Sequence, residues 1–177
     1  MASAKDRQEH ALVVEAIVAA LQQLGGAVDP RREPTIRTLR HVLHLHTPIS
    51  ARLVVKRHVL ELVAALHPTP ATGGTPTPAA TAWIAAHESA RGWYASPIGW
   101  FDLDGNGEFA VAIRCGLVSQ QRTVATEGRW KSQPADAAGA IDIWAGAGIV
   151  AGSDPNRELA ETEVKLRAIL GALGVGA

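Results

Sequence analysis

The chain has 177 residues, with 17 Lys and Arg set against 17 Asp and Glu, so its net charge is zero and it offers no basic stripe for nucleic acid. A hydrophobic share of 47% and a charged share of 19% describe a globular chain long enough for a real core. The single cysteine, Cys115, excludes an internal disulfide framework, and no apolar run is long enough to cross a membrane; with a first decapeptide too charged for a signal peptide, the expectation is a cytoplasmic protein acting on a small molecule.

In chain order, residues 3–24 read as an amphipathic helix ended by Gly25-Gly26, with Val13, Ile17, Ala20, Leu21 and Leu24 as its apolar stripe. Glu9 lies four residues before Val13 and so stands near that stripe. A polar loop at 29–34 leads to a predicted strand over 35–46, where Leu39, Leu43 and Leu45 alternate with Arg40, His44 and His46. A short helix follows at 57–66, then a loop at 67–74, and Pro78 opens a helix that runs to about Ser89. Apolar runs at 93–103 and 108–118 flank Asp104-Gly105-Asn106-Gly107 and predict a hairpin. Residues 119–139 are polar and rich in Gly, Ala and Pro, which predicts an extended loop. A strand at 140–144 then enters Ala145-Gly-Ala-Gly148. The last helix spans 155–173, with Asp154 as N-cap, Pro155 at its first position, and Leu159, Leu166, Ile169, Leu170 and Leu173 on its core face.

Several residues are candidates for chemistry. Gly146 and Gly148 let a ligand approach the backbone, and Glu158, Glu161 and Lys165 fall on one helical face just beyond. Backbone amides, carboxylates and an ammonium in one volume suit a metal-assisted site for an anionic substrate; an exposed helical ion pair between Glu161 and Lys165 is the simpler alternative. Asp102, Asp104 and Asn106 imitate the opening of a calcium loop, but Ile113 stands where the bidentate Glu must be, so a hairpin turn is expected. His44 and His46 suit either metal ligation or structural roles. Arg114, placed in an apolar strand, requires a carboxylate from the protein or a ligand.

Taken together, six ordered strings resemble the C-terminal half of the chorismate-utilising enzymes, and most of all the isochorismate synthases. They are Ser3-Ala-Lys-Asp-Arg-Gln-Glu-His, His44-Leu-His-Thr-Pro, His67-Pro-Thr-Pro-Ala-Thr-Gly-Gly, Gly92-Trp-Tyr-Ala-Ser-Pro-Ile-Gly-Trp, Gly107-Glu-Phe-Ala-Val-Ala-Ile-Arg, and Ala145-Gly-Ala-Gly-Ile-Val continuing to Lys165. The resemblance covers nearly the whole chain and implies an α/β (α+β) sandwich, with an antiparallel sheet and packed helices, of which 1–177 is the C-terminal portion and 119–139 an inserted loop. It implies that Glu9 and Glu161 hold a catalytic Mg²⁺, that His44 lies near the reacting ring, and that Ala71 and Thr72 line the ring pocket. Tyr94, Arg114, the Gly146 backbone and Lys165 would hold the substrate body. The implied reaction adds water at ring C2 of chorismate as the C4 hydroxyl departs, giving isochorismate reversibly, for menaquinone or siderophore synthesis. The family's water-activating lysine and its protonating glutamate come from an N-terminal half with no counterpart here. The chain should therefore expose sheet edges and apolar faces, and a separate N-terminal chain or self-association would complete it. The alternatives are a non-catalytic remnant, one subunit of a split enzyme, or a relative making salicylate or an aminated chorismate.

Overall fold

The computed structural model describes residues 4–29, 33–38, 43–119, 123–126, 129–132 and 140–175. They form two compact units, 1–112 and 113–177. Both contain helices and antiparallel two-stranded ribbons, which is the mixed α and β architecture the sequence implies.

The first unit is built on helix α1 (Ala4–Gln23), which packs against β1 (Gly26–Val28), β3 (Leu43–His46), α2 (Val59–Leu66) and α3 (Pro70–Gly73). The helix buries Val14 and Val18, 9% and 6% exposed, which lie beside the predicted stripe of Val13, Ile17 and Leu21. The helix stops at Gly25, whose φ of 78° only glycine adopts freely. Gly26 then enters β1, which pairs with β4 (Ala51–Leu53), two strands the sequence pattern did not reveal.

The strand predicted over 35–46 is instead two strands. β2 (Thr35–Thr38) folds antiparallel onto β3, pairing Thr35 with His46 and Arg37 with His44. Leu39 and Arg40 lie outside the described residues. A fold-back preserves the alternation of an uninterrupted strand, and Leu39-Arg40-His41-Val42 carries no Gly, Pro, Asn or Asp to mark a turn.

Helix α2 starts in a capping box: Leu60 N–H donates to His58 Nδ1 at 3.1 Å, and His58 N–H donates to Glu61 Oε1 at 3.1 Å. The predicted loop at 67–74 contains the short helix α3, and α4 (Thr77–His87) occupies the place expected for the Pro78 helix. The hairpin is present but shorter than its apolar runs, joining β5 (Pro97–Phe101) to β6 (Gly107–Val111). Its tip is an Asp102 turn rather than a cation loop. The Asp102 carboxylate accepts from Asp104 N–H at 2.9 Å, Asn106 N–H at 2.8 Å and the Asn106 side-chain amide at 3.0 Å.

In the second unit β7 (Gly116–Ser119) leaves the hairpin and pairs with β10 (Ala140–Ile143). The segment expected to be a loop at 119–139 contains a ribbon of β8 (Thr123–Thr126) and β9 (Arg129–Ser132), in register from Thr123–Ser132 to Thr126–Arg129. Helix α5 (Pro155–Ala172) begins as read, with Asp154 Oδ1 accepting from Arg157 N–H at 2.9 Å. Leu159 corrects its predicted core face, since it is 60% exposed, whereas Leu166, Ile169 and Leu170 are half-buried.

Candidate functional site

The predicted site residues divide between the units. In the first, Glu9 projects from the second turn of α1. Its Oε1 is enclosed and makes no hydrogen bond among the described residues, although Lys5 Nζ stands at ion-pair distance, 3.2 Å. One residue on, His10 Nε2 shares a 2.8 Å hydrogen bond with Thr47 Oγ1. Burial, and then the charge of His46, lower the His10 pKa below the usual imidazole value. His44 is half-buried on β3, opposite Arg37.

Ala71 and Thr72 sit on α3. Ala71 is exposed, whereas the Thr72 hydroxyl is enclosed and has no hydrogen-bond partner among the described residues. The loop after α4 clamps the backbone here: Arg91 donates from Nη1 to the Thr72 carbonyl at 2.7 Å and from Nε to Glu88 at 2.9 Å. Between these elements lies a cavity of about 480 Å³, lined among others by His67, Thr72, Ile84, Arg91 and Tyr94. Thr72 and Tyr94, assigned separately to ring and substrate body, thus border the same space. A ligand smaller than a drug fits such a volume.

In the second unit, Arg114 corrects its sequence reading. It lies outside any strand, between β6 and β7, with φ of 52°. Left-handed backbone at a residue other than Gly costs about 1–2 kcal/mol, and nothing in Ile113-Arg114-Cys115 announces it. The Gly146 segment and α5 come together as expected. Lys165 Nζ forms a 2.6 Å ion pair with Glu161 Oε1 and donates to the Gly146 carbonyl at 2.8 Å. The simple helical ion pair is therefore only half of what Lys165 does, because it also ties α5 to a segment 19 residues away.

Glu158, grouped with Glu161 and Lys165 by its spacing, is given no part by the family resemblance. It is the sole buried charged side chain among the described residues, at 6% exposure, one turn before the exposed Glu161. Its signal was the three-residue spacing to Glu161, which placed both on one face.

The family model described as chorismate binding enzyme matches residues 1–174. The chain belongs to the chorismate binding enzyme family. It is 45% identical over 172 residues to the salicylate biosynthesis isochorismate synthase of Pseudomonas aeruginosa, a match covering 97% of this chain and 32% of that protein. It is 39% identical to the isochorismate synthase MenF of Bacillus subtilis, covering 96% of this chain and 32% of MenF. Among solved structures, DhbC from Bacillus anthracis, assigned as a 2,3-dihydroxybenzoate-specific isochorismate synthase, superposes with a TM-score of 0.81 at 36% identity. That superposition takes in 99% of this chain and 42% of DhbC. The menaquinone-specific isochorismate synthase MenF from Escherichia coli gives a TM-score of 0.73 at 33% identity, over 95% of this chain and 35% of MenF. The chain spans about a third to two-fifths of the length of these relatives, the extent expected for a C-terminal part of the family.

Proposed function

We propose that this chain is the chorismate- and Mg²⁺-binding portion of an isochorismate synthase. The observation that carries the reading is Lys165, held at once by Glu161 and the Gly146 carbonyl, in a chain whose relatives share that enzyme name. The relatives' names diverge only in the product each enzyme serves: salicylate, menaquinone or 2,3-dihydroxybenzoate.

The proposed metal ligands, taken from the family resemblance, are Glu9 and Glu161. Their donors fit, since Mg²⁺ favours one or two carboxylates completed by substrate oxygens and water, and Glu9 Oε1 is an enclosed carboxylate oxygen with no hydrogen bond of its own among the described residues. The ion would neutralise the ring carboxylate of chorismate. Lys165 and Arg114 supply fixed cationic charge for the second carboxylate, while Tyr94 and the Gly146 backbone orient the substrate body. Ala71 and Thr72 face the ring, and His44 holds a position beside it. In the reaction, water bonds to ring C2 and gives up a proton, both ring double bonds shift by one position (C1=C2 to C1=C6 and C5=C6 to C4=C5), and the C4 hydroxyl leaves as water once protonated. The proton acceptor and proton donor come from outside this chain, and each is worth a typical 10²–10⁴-fold in rate.

Chorismate binding measured by calorimetry with and without Mg²⁺ tests this. The wild-type chain is expected to bind in a Mg²⁺-dependent manner, and Glu161→Ala to lose that dependence. If Glu161→Ala keeps it, the metal assignment is wrong; if the wild-type chain ignores chorismate at millimolar concentration, so is the binding role.

A further inference from the structure

Neither Glu88 nor Arg91 belongs to the proposed ligands of metal or substrate, yet together they join two walls of the cavity that Thr72 and Tyr94 border. One wall is α3, only four residues long, where Thr72 N–H and Gly73 N–H both donate to Thr69 O, at 3.0 and 2.8 Å. So short a helix leaves its last carbonyls to be satisfied from outside. Arg91 does this for Thr72 from 19 residues away, Nη1 donating to the Thr72 carbonyl at 2.7 Å. The other wall is the turn at 92–96. There Tyr94 N–H donates to Arg91 O at 2.9 Å, while Ala95 N–H donates to Ala112 O and Ala112 N–H to Ser96 O, each at 2.8 Å. Ala95 is 6% exposed and has φ of 63°, a left-handed backbone that persists in a residue other than Gly only where its surroundings hold it. Arg91 thus grips α3 with its side chain and the Tyr94 turn with its main chain.

The charge of Arg91 is already answered. Its Nε and Nη2 both reach Glu88 Oε2, at 2.9 and 2.8 Å, so the planar fork faces protein acceptors. A guanidinium engaged in this way shapes the cavity rather than drawing an anionic ligand to itself. We propose that Arg91 is a positioning residue: clamped by Glu88, it fixes the Thr72 wall against Tyr94 and so sets the width of the cavity for its ligand. The proposal deepens the functional reading and rests on it only for the identity of that ligand, chorismate.

Two measurements on the full chain separate the clamp from the ligand. Without ligand, Arg91→Met is expected to speed amide exchange at Thr72, Gly73 and Tyr94 about tenfold, with β6 and the circular dichroism as in wild type. With Mg²⁺ and chorismate in the calorimeter, Arg91→Met is expected to weaken binding about tenfold, since small misplacements of binding groups are costly. Arg91→Lys, which keeps a charged donor for the Thr72 carbonyl, should recover about threefold of that loss. Glu88→Ala should weaken binding several-fold in the wild-type background and add nothing beside Arg91→Met, because Glu88 acts through Arg91. The Glu88 side chain is 42% exposed, so Glu88→Ala decides the matter alone if Arg91→Met does not fold. Wild-type affinity in Arg91→Met, unaltered exchange at Thr72 and Tyr94, or no recovery with lysine would overturn the proposal. So would unchanged or tighter binding in Glu88→Ala, which would make Arg91 a direct ligand released from its pair. If the wild-type chain ignores chorismate while the exchange difference is present, the functional reading fails and the clamp stands.

Discussion

Lys165 gathers two acceptors with one ammonium, and substitution separates its roles. Lys165→Met leaves the Gly146 carbonyl and the Glu161 carboxylate without their shared donor, and about 1 kcal/mol of stability is expected to go, since hydrogen bonds of charged groups are strong but this one is partly exposed. Denaturant titration reads that loss, and calorimetry should show chorismate binding falling with it. Lys165→Arg should not restore binding, because a planar fork replaces a point charge. Thr72 makes an opposite case. A hydroxyl enclosed without a partner among the described residues costs stability, so Thr72→Val, equal in shape, should raise it by about 1 kcal/mol. A stabilised variant with weakened chorismate binding would place that hydroxyl in the substrate's service; a destabilised one would show that it is paired after all. His10 adds a pH dependence. Folding favours its neutral form, so its contribution is present above the ordinary imidazole range and is lost as pH falls through that range toward the lower folded value. Thermal midpoints should decline on acidification from neutrality, and His10→Gln, which keeps a partner for Thr47, should flatten that part of the decline.

Individual elements show where local sequence signals suffice. The turn at the hairpin tip and the Asp154 cap of α5 are legible in the sequence because each is closed by a side chain within its own neighbourhood, whereas the His58–Glu61 capping box of α2 escapes it because histidine is not among the usual N-cap residues. The Asp102 carboxyl is held below its usual range, first by the hydrogen bond from the Asn106 side chain and then by the Asn106 amide. A carboxyl depressed in this way supports the folded hairpin above the ordinary carboxylate range and ceases to as pH falls through the lower folded value. Asp102→Ala should therefore speed amide exchange at Trp100 and Glu108 near neutral pH, and the difference from wild type should shrink in strong acid. Other elements were hidden for equally physical reasons. β1 and β4 are three residues each, too short for alternation to register, and their pairing spans the whole 35–46 segment. The fold-back between β2 and β3 has no turn residues, and Arg114 takes a glycine-like backbone with none of the residues that favour one. Ribbon β8–β9 lies in a stretch whose composition resembles a loop. Candidate residues fared similarly. The Lys165–Glu161 pair followed from helical spacing, whereas the Lys165 contact with Gly146 and the burial of Glu158 depend on what packs against α5, which spacing leaves open.

At the scale of the molecule, exposure is the main fact. Among the described residues only Val14, Val18 and Ala95 are buried apolar residues, while Val54, Trp93, Ile98, Ile149 and Leu103 are among many large apolar side chains more than 60% exposed. Every sheet among those residues has two strands. A chain of this length ordinarily buries about two-thirds of its surface, so a chain that keeps so little inside should be a poor two-state folder alone. The expected behaviour of the isolated chain is a broad thermal transition, binding of a hydrophobic dye at neutral pH, and association that grows with concentration. The complementary portion of a relative should sharpen the transition, and the same addition should produce catalysis. On the proposed reading the proton acceptor and donor lie outside these residues, so chorismate and Mg²⁺ with the chain alone should yield no isochorismate by chromatography, and restored turnover should appear only with the added portion. In that complex Glu161→Ala should abolish turnover while leaving the sharpened transition in place, which separates the metal role from the structural one. Isochorismate formed by the isolated chain would show that the groups for proton transfer are already among its own residues.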